Sequence, residues 1–270
     1  MYKLIALDMD GTLLTTDKSI SPRTKKAIAD ARAKGVTVVL ASGRPLEGIV
    51  EKLDELEIRG KNEFVACFNG SIIRELDDNK VVHRGIIDGA ATKRVAKLAE
   101  QLGLDCHAFS EELGLIAPRA SRYTEHEAHI NNMSYSIVDF DTLSDDHPII
   151  KAMIIGEPDA LTAGIAKIPQ AFYDEFTILQ SAPFFLEFLN PVSNKGAGIE
   201  AIAKRLGIEA SEVICMGDAE NDHHMLEYAG LGVAMANAME ETKKIADLIT
   251  DSNDDDGVAK VIENYILNPA

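Results

Sequence analysis

The chain has no tryptophan, and aromatic residues make up only 6% of its 270 positions. It is also short of positive charge: 27 lysines and arginines stand against 44 acids, a net charge of −17. That balance argues against nucleic acid or an anionic membrane surface as a partner. It sets a condition too, because an anionic substrate would need positive charge supplied locally, by a metal ion or a few placed cations. No apolar run approaches the roughly 18 residues of a membrane span. The first residues lack the basic region and long apolar segment of a signal peptide, so a soluble cytoplasmic protein is expected. Cysteine is scarce. Cys67, Cys106 and Cys215 show no CxxC spacing, which leaves zinc and dithiol chemistry little support. A Cys-x5-Arg phosphatase loop fails as well, since Ile73 stands where the arginine belongs and Arg74 is one residue too far. All three cysteines sit in apolar stretches and read as buried reduced thiols.

What is present begins at once. Residues 4–7 are apolar and read as a short buried strand. The run ends in two carboxylates, Asp8 and Asp10, followed by Gly11, which can take the positive φ of a tight turn. Charged residues are almost never fully buried unless paired or metal-bound. An aspartate that merely caps a turn is the alternative. A calcium loop fits poorly: the EF-hand pattern needs glycine at its sixth position, and Gly11 is the fourth from Asp8.

Ser21-Pro22 opens a helix with Ala27, Ile28 and Ala31 on its apolar face and Gly35 at its close. Residues 36–40 form a β-branched strand ending at Ser42-Gly43-Arg44. Pro45 starts a helix to about residue 56, and residues 64–68 form a third strand ending at Asn69-Gly70. This β-α-β-α-β alternation predicts a parallel, doubly wound α/β sheet. A hairpin follows around residues 77–79. From about residue 84 the pattern changes to hairpins mixed with helices, the α+β style of a second domain. The alternation resumes near Asn194, with helices at residues 194–206 and 221–228 around a strand at 213–216. The expected organisation is a discontinuous core, residues 1–83 and 191–270, with a guest domain at 84–190.

Four segments carry polar groups at strand ends or helix starts: Asp8-x-Asp10, Ser42-Gly43-Arg44, Lys195, and residues 217–222 with Asp218, Asn221 and Asp222. A doubly wound sheet gathers the carboxyl ends of its strands at one edge, whatever their separation in sequence. Clustered carboxylate oxygens suit magnesium, a lysine suits phosphate, and an aspartate can attack phosphorus.

These segments resemble the haloacid dehalogenase superfamily, and the layout resembles its Cof-type branch, sugar-phosphate phosphatases with an inserted α/β cap. The resemblance rests on Asp-Met-Asp-Gly-Thr-Leu-Leu at residues 8–14, Gly-Asp-x-Glu-Asn-Asp at 217–222 and Asn69-Gly70, with Ser71 where alanine is common. It implies a Rossmann-like core and a magnesium-dependent phosphatase of small phosphorylated metabolites. By the same resemblance Asp8 is nucleophile and metal ligand. Asp10 is general acid and base and lends the metal its backbone carbonyl. Met9 offers a backbone N–H to phosphate, and Ser42, Gly43, Lys195 and Asn221 bind it. Asp218 completes the metal site, with Asp222 and Arg44 in support. On physical grounds Lys195 and the metal should keep the Asp8 pKa low, whereas Asp10 should have a raised pKa. The inserted domain would face the leaving group, with His107, Glu111, Arg119 and Tyr123 as candidates. A phosphate receiver and a phosphomutase are the rival readings. The second acid at Asp10 disfavours a receiver, and a full-size cap leans towards hydrolysis.

Three other patterns carry less. His126-Glu127-Ala128-His129 is one residue short of a zinc signature and reads as a surface helix. His223 and His224 are adjacent and point to different helix faces. Residues 252–263 match a calcium loop except for Ser252 at its first position, and read better as an acidic helix N-terminus.

Overall fold

Strand β1 (Leu4–Asp8) is five buried residues in a row, apolar until the last. A strand covered on both faces reads as such a continuous run. The computed structural model describes residues 1–269. The chain divides into two units, residues 1–84 with the chain from 194 on, and residues 85–193.

In the first unit, α1 (Pro22–Ala33) starts where expected. Ser21 caps it by accepting from the Thr24 N–H, and Ala27, Ile28 and Ala31 are buried. Strand β2 (Thr37–Ala41) follows. The helix expected over residues 45–56 is broken: a 3-10 turn at Leu46–Gly48 is followed by α2 (Val50–Glu55). Gly48 is a poor helix former, and Ile49 at the break is fully buried. Then come β3 (Phe64–Cys67), β4 (Ile72–Glu75) and β5 (Lys80–Arg84).

The second unit contains α3 (Gly89–Gln101), β6 (Asp105–Ser110), β7 (Gly114–Ala117), α4 (Arg122–Ile130) and β8 (Tyr135–Ile137). After these come β9 (Ile149–Ile155), α5 (Pro158–Ile165), α6 (Gln170–Glu175), β10 (Thr177–Ala182) and β11 (Phe185–Leu189). Six strands form one sheet in the order β10-β11-β9-β6-β7-β8, antiparallel except at β7–β8. Its apolar core joins α3 residues Val95, Leu98 and Ala99 to Ala108, Ala152, Ile154 and Phe188 of the sheet.

The chain returns to the first unit with α7 (Lys195–Leu206), β12 (Val213–Gly217), α8 (His223–Tyr228), β13 (Leu231–Ala234), α9 (Glu240–Ile245), β14 (Leu248–Ile249) and α10 (Gly257–Ile262). The sheet order is β14-β13-β12-β1-β2-β3-β4-β5. It is parallel from β14 to β3, and the final hairpin is antiparallel. Leu4 and Ala6 pack beneath Ile199, Ile202 and Ala203 of α7 and Met225 of α8. By strand alternation Ile5 and Leu7 face the other way. From β1 the chain first winds through β2 and β3, then returns to β12 on the opposite side. The sheet therefore reverses direction beside β1, and in open α/β sheets ligands bind at the carboxyl ends of strands at such a reversal.

Candidate active site

Asp8 closes β1 at that reversal and is buried. The chain must then turn away within three residues. Gly11 does so at φ +89°, and a Cβ there would run into the Asp218 carboxylate. Two independent constraints, backbone sign and close approach, thus demand glycine at this position.

Lys195 is the first residue of α7, behind the Asn194 cap, and is 0% exposed. Its Nζ lies 2.5 Å from Asp8 Oδ1 and 2.6 Å from Asp222 Oδ1. Burial works against its charge, but Asp222 and Asp8 outweigh burial and raise its pKa. Asp222 spends its second oxygen on the backbone N–H groups of Asp218 and Ala219, at 2.9 and 3.1 Å. It therefore shapes the loop after β12 as well as neutralising Lys195. Asp218 Oδ1 accepts from the Thr12 hydroxyl at 3.0 Å.

Oxygens of Asp8, Asp218 and Asp222 lie within 4.8 Å of one another. With all three ionised, Lys195 leaves two negative charges uncompensated in a mostly buried cluster. The Asp8 pKa is consequently raised: burial is the main cause, Asp222 and Asp218 add to it, and Lys195 only partly opposes it. Lys195 by itself therefore does not hold it low, and the lowering expected from Lys195 and a metal together needs the cation. Burial followed by repulsion from Asp222 likewise raises Asp218. The donor chemistry fits a divalent cation, whose charge matches the excess.

Asp10 behaves in the opposite way. Its carboxylate accepts from Arg44 Nε at 3.0 Å, from Arg44 Nη2 at 2.8 and 2.7 Å, and from Lys18 Nζ at 2.8 Å. Partial burial pushes its pKa up, but Lys18 and Arg44 outweigh that and hold it below the usual carboxylate range. The expected raised pKa is therefore reversed, because the two cations stabilise the ionised form. Met9 is wholly buried, so its side chain offers nothing at the surface of the site.

Asn69, absent from the expected site residues, joins the remaining loops. It sits at φ +55° at the end of β3, buried. Its N–H donates to the Ser42 carbonyl at 2.9 Å, and its Oδ1 accepts from Asn221 Nδ2 at 3.0 Å. A Cβ on Gly43 would sit 3.3 Å from its amide. Ser42 Oγ accepts from the Arg44 N–H at 3.2 Å. Asn69, Thr12 and Lys18 were missed individually, although Asn69-Gly70 after a strand and Thr12 after Asp-x-Asp-Gly were visible signals.

In the second unit His107 is fully enclosed. Its ring nitrogens lie 3.1 Å from Thr124 Oγ1 and 3.1 Å from Met153 Sδ. Burial, with Lys151 adding to it, lowers its pKa to about 3. A neutral ring with both nitrogens occupied cannot read a leaving group. Arg119 pairs with Asp105 and Tyr123 stacks on Phe184. Glu127 is buried and His126 packs on Phe184 and Phe185, so α4 is not a purely surface helix. The calcium-like stretch is used internally: Asp254 binds Thr16 and Asp256 binds Ser21.

All three cysteines are buried and unpaired. Burial pushes the Cys67 and Cys106 thiols up to about 12, and Cys215 higher still. The thiolate is the nucleophile, so such thiols are inert. Alkylation of the folded protein is therefore expected to leave turnover intact. Inactivation by one equivalent of a thiol reagent, prevented by substrate, would put a cysteine in the chemistry. No helix among the described residues is long and apolar enough to cross a membrane.

The profile of the haloacid dehalogenase-like hydrolases matches residues 5–262. A Streptococcus pyogenes serotype M6 protein is 40% identical over 267 residues, 98% of this chain and 99% of that protein. A Bacillus subtilis protein named 5-amino-6-(5-phospho-D-ribitylamino)uracil phosphatase is 33% identical over 265 residues, 98% of this chain and 96% of its own. The solved structure of a HAD subclass IIB sugar phosphatase superposes with a TM-score of 0.78 at 25% identity, covering 97% of this chain and 98% of that one. Fold, sequence and profile agree along nearly the full length, and this chain belongs to the haloacid dehalogenase-like hydrolase family.

Proposed function

We propose that the protein is a magnesium-dependent phosphatase of small phosphorylated metabolites, sugar phosphates first among them, working through an aspartyl phosphate on Asp8. The observation that carries this reading is the buried cluster at the end of β1, where Lys195 lies between Asp8 and Asp222 and two negative charges remain over. The relative and the solved structure named as phosphatases support the reaction class, and the sugar phosphatase supports the substrate class.

Asp8 attacks phosphorus, and the bond from phosphorus to the ester oxygen breaks. Asp10 serves as the acid, which requires it to take up a proton in the substrate complex against the pull of Lys18 and Arg44, and it gives that proton to the departing oxygen. It then takes a proton from the water that attacks the phosphoaspartate, which releases phosphate and frees Asp8. The Met9 backbone N–H, Ser42, Gly43, Lys195 and Asn221 hold the phosphoryl oxygens. Asp222 keeps Lys195 charged and the loop after β12 closed, and Arg44 orients Asp10. Asp8, Asp218 and the Asp10 carbonyl would hold magnesium, which supplies charge neutralisation at the phosphoryl group. The insert at residues 84–190 sets leaving-group preference, and the protein works in the cytoplasm.

A screen of phosphorylated metabolites tests this. At least one sugar phosphate is expected to release phosphate with magnesium present. Chelation should abolish release and added magnesium restore it. Phosphate release from none of the esters, or full activity after exhaustive chelation, would sink the reading.

A further inference from the structure

Four hydrogen bonds converge on the two oxygens of Asp10, and one comes from a residue that has no assigned part in the site. We propose that Lys18 is a positioning residue for Asp10, and that the acidic turn at residues 252–256 acts on the reaction by holding the loop that carries it. The proposal rests on the phosphatase reading above.

The backbone of Lys18 lies at φ +65°. That region favours glycine and asparagine, and a lysine there is disfavoured. Such strain persists where surrounding structure enforces it, and it clusters at functional sites. The loop is closed on itself around the strained residue. The Thr15 N–H donates to the Ser19 carbonyl at 2.9 Å, and the Lys18 N–H donates to the Thr15 carbonyl at 2.9 Å. The Asp17 carboxylate accepts from the Thr15 hydroxyl at 2.5 Å and from the Ser19 N–H at 3.2 Å. What the position gains from lysine is a long side chain that delivers its ammonium to Asp10 Oδ1 at 2.8 Å.

The same loop is tied down along its length. The Thr16 N–H and hydroxyl both donate to the Asp254 carboxylate, each at 2.7 Å. Asn253 Nδ2 donates to the Leu14 carbonyl at 2.9 Å. The Asn253 N–H donates to Asn237 Oδ1 at 3.0 Å, and Asn237 Nδ2 donates to the Gly11 carbonyl at 2.8 Å. The stretch that resembles a calcium loop is thus a brace for residues 11–16.

Arg44 donates to both oxygens of Asp10 and Lys18 adds a further donor at Oδ1, so the carboxylate that exchanges a proton with the ester oxygen or water is held by two residues rather than one. Placement is worth much at this step, where a displacement of about 1 Å can cost about 10²-fold.

The test is Lys18→Asn, which suits the left-handed backbone and removes the ammonium. On a sugar phosphate kcat should fall about 10-fold, a fraction of the ~10²- to 10⁴-fold that general acid–base catalysis provides. KM should hardly change, and an aryl phosphate, whose leaving group needs little protonation, should lose less. Lys18→Arg should recover most of the loss, and Asp254→Ala should reproduce it in weaker form. The thermal midpoint of Lys18→Asn should hold or rise, a pairing of signs that a merely structural role does not produce. In an Asp10→Asn background the same substitution should change kcat less than about 2-fold, because its effect passes through Asp10. A crystal of Lys18→Asn should show Asp10 in more than one rotamer, a result independent of turnover. Unchanged kcat, an equal loss in the Asp10→Asn background, or a single undisturbed Asp10 rotamer would overturn the proposal. A wild-type protein that hydrolyses no phosphate ester would instead overturn the phosphatase reading.

Discussion

Asp8→Asn is expected to stop turnover and leave the fold as stable as before, or more so. The amide keeps the shape of the side chain and can still accept a hydrogen bond from Lys195. It cannot attack phosphorus. Removing the nucleophile of a covalent mechanism costs roughly 10⁴- to 10⁶-fold in rate. Stability moves the other way because the wild-type cluster is overcharged: burial, Asp222 and Asp218 all disfavour the ionised Asp8. Taking away one of three crowded carboxylates relieves that repulsion, and Lys195 keeps Asp222 at 2.6 Å. Active sites commonly give up stability for function in this way. Steady-state kinetics and a thermal melt in chelator check both signs. Residual activity within 10-fold of wild type would mean that Asp8 is not the nucleophile.

The second large effect lies at Lys195. In Lys195→Met the stem is kept and the charge is lost, leaving Asp8 and Asp222 buried without their cation. Breaking a buried pair by removing one partner typically costs about 3–5 kcal/mol. In a domain of this size that corresponds to a midpoint lower by about 10 °C. Turnover should fall with it, because Lys195 would neutralise the phosphoryl oxygens as well as hold Asp8. The double variant Lys195→Met/Asp222→Asn separates the two roles. It removes the orphaned charge and should regain much of the lost stability, since residues in direct contact are not additive. It should not regain turnover. A single variant with a wild-type melt, or a double variant with restored activity, would contradict this assignment.

The parts legible in the sequence were those encoded locally. The buried run at residues 4–7, the Ser21-Pro22 helix start and the glycine turn at Gly11 each follow from adjacent residues, and each stands as expected. The broken helix at residues 46–55 was not legible, because the burial of Ile49 is a tertiary fact that overrides helical periodicity. Strand β8 and α6 were missed for a similar reason: both are short, and neither is buried enough to show a pattern. In the site, Lys195 alone looks like any surface lysine, and only its company identified it. The charge state of Asp10 was misread because its partners, Lys18 and Arg44, are 8 and 34 residues away. Asn69 was passed over because its work is to join three loops that are distant in sequence. Residues 252–256 match a calcium loop locally but read as an acidic helix start, and the structure adds what the local pattern does not carry, hydrogen bonds to Thr16 and Ser21.

The central claim is that Asp8 carries the phosphoryl group. The most direct measurement is acid quenching of the enzyme during turnover of a phosphate ester with magnesium, followed by mass mapping of its peptides. One phosphoryl group is expected, on Asp8, in the wild type and none in Asp8→Asn. With an aryl phosphate, whose leaving group needs little protonation, it should accumulate in Asp10→Asn, where water lacks its base. Turnover without any phosphorylated peptide, or a phosphoryl group on a residue other than Asp8, would contradict the account.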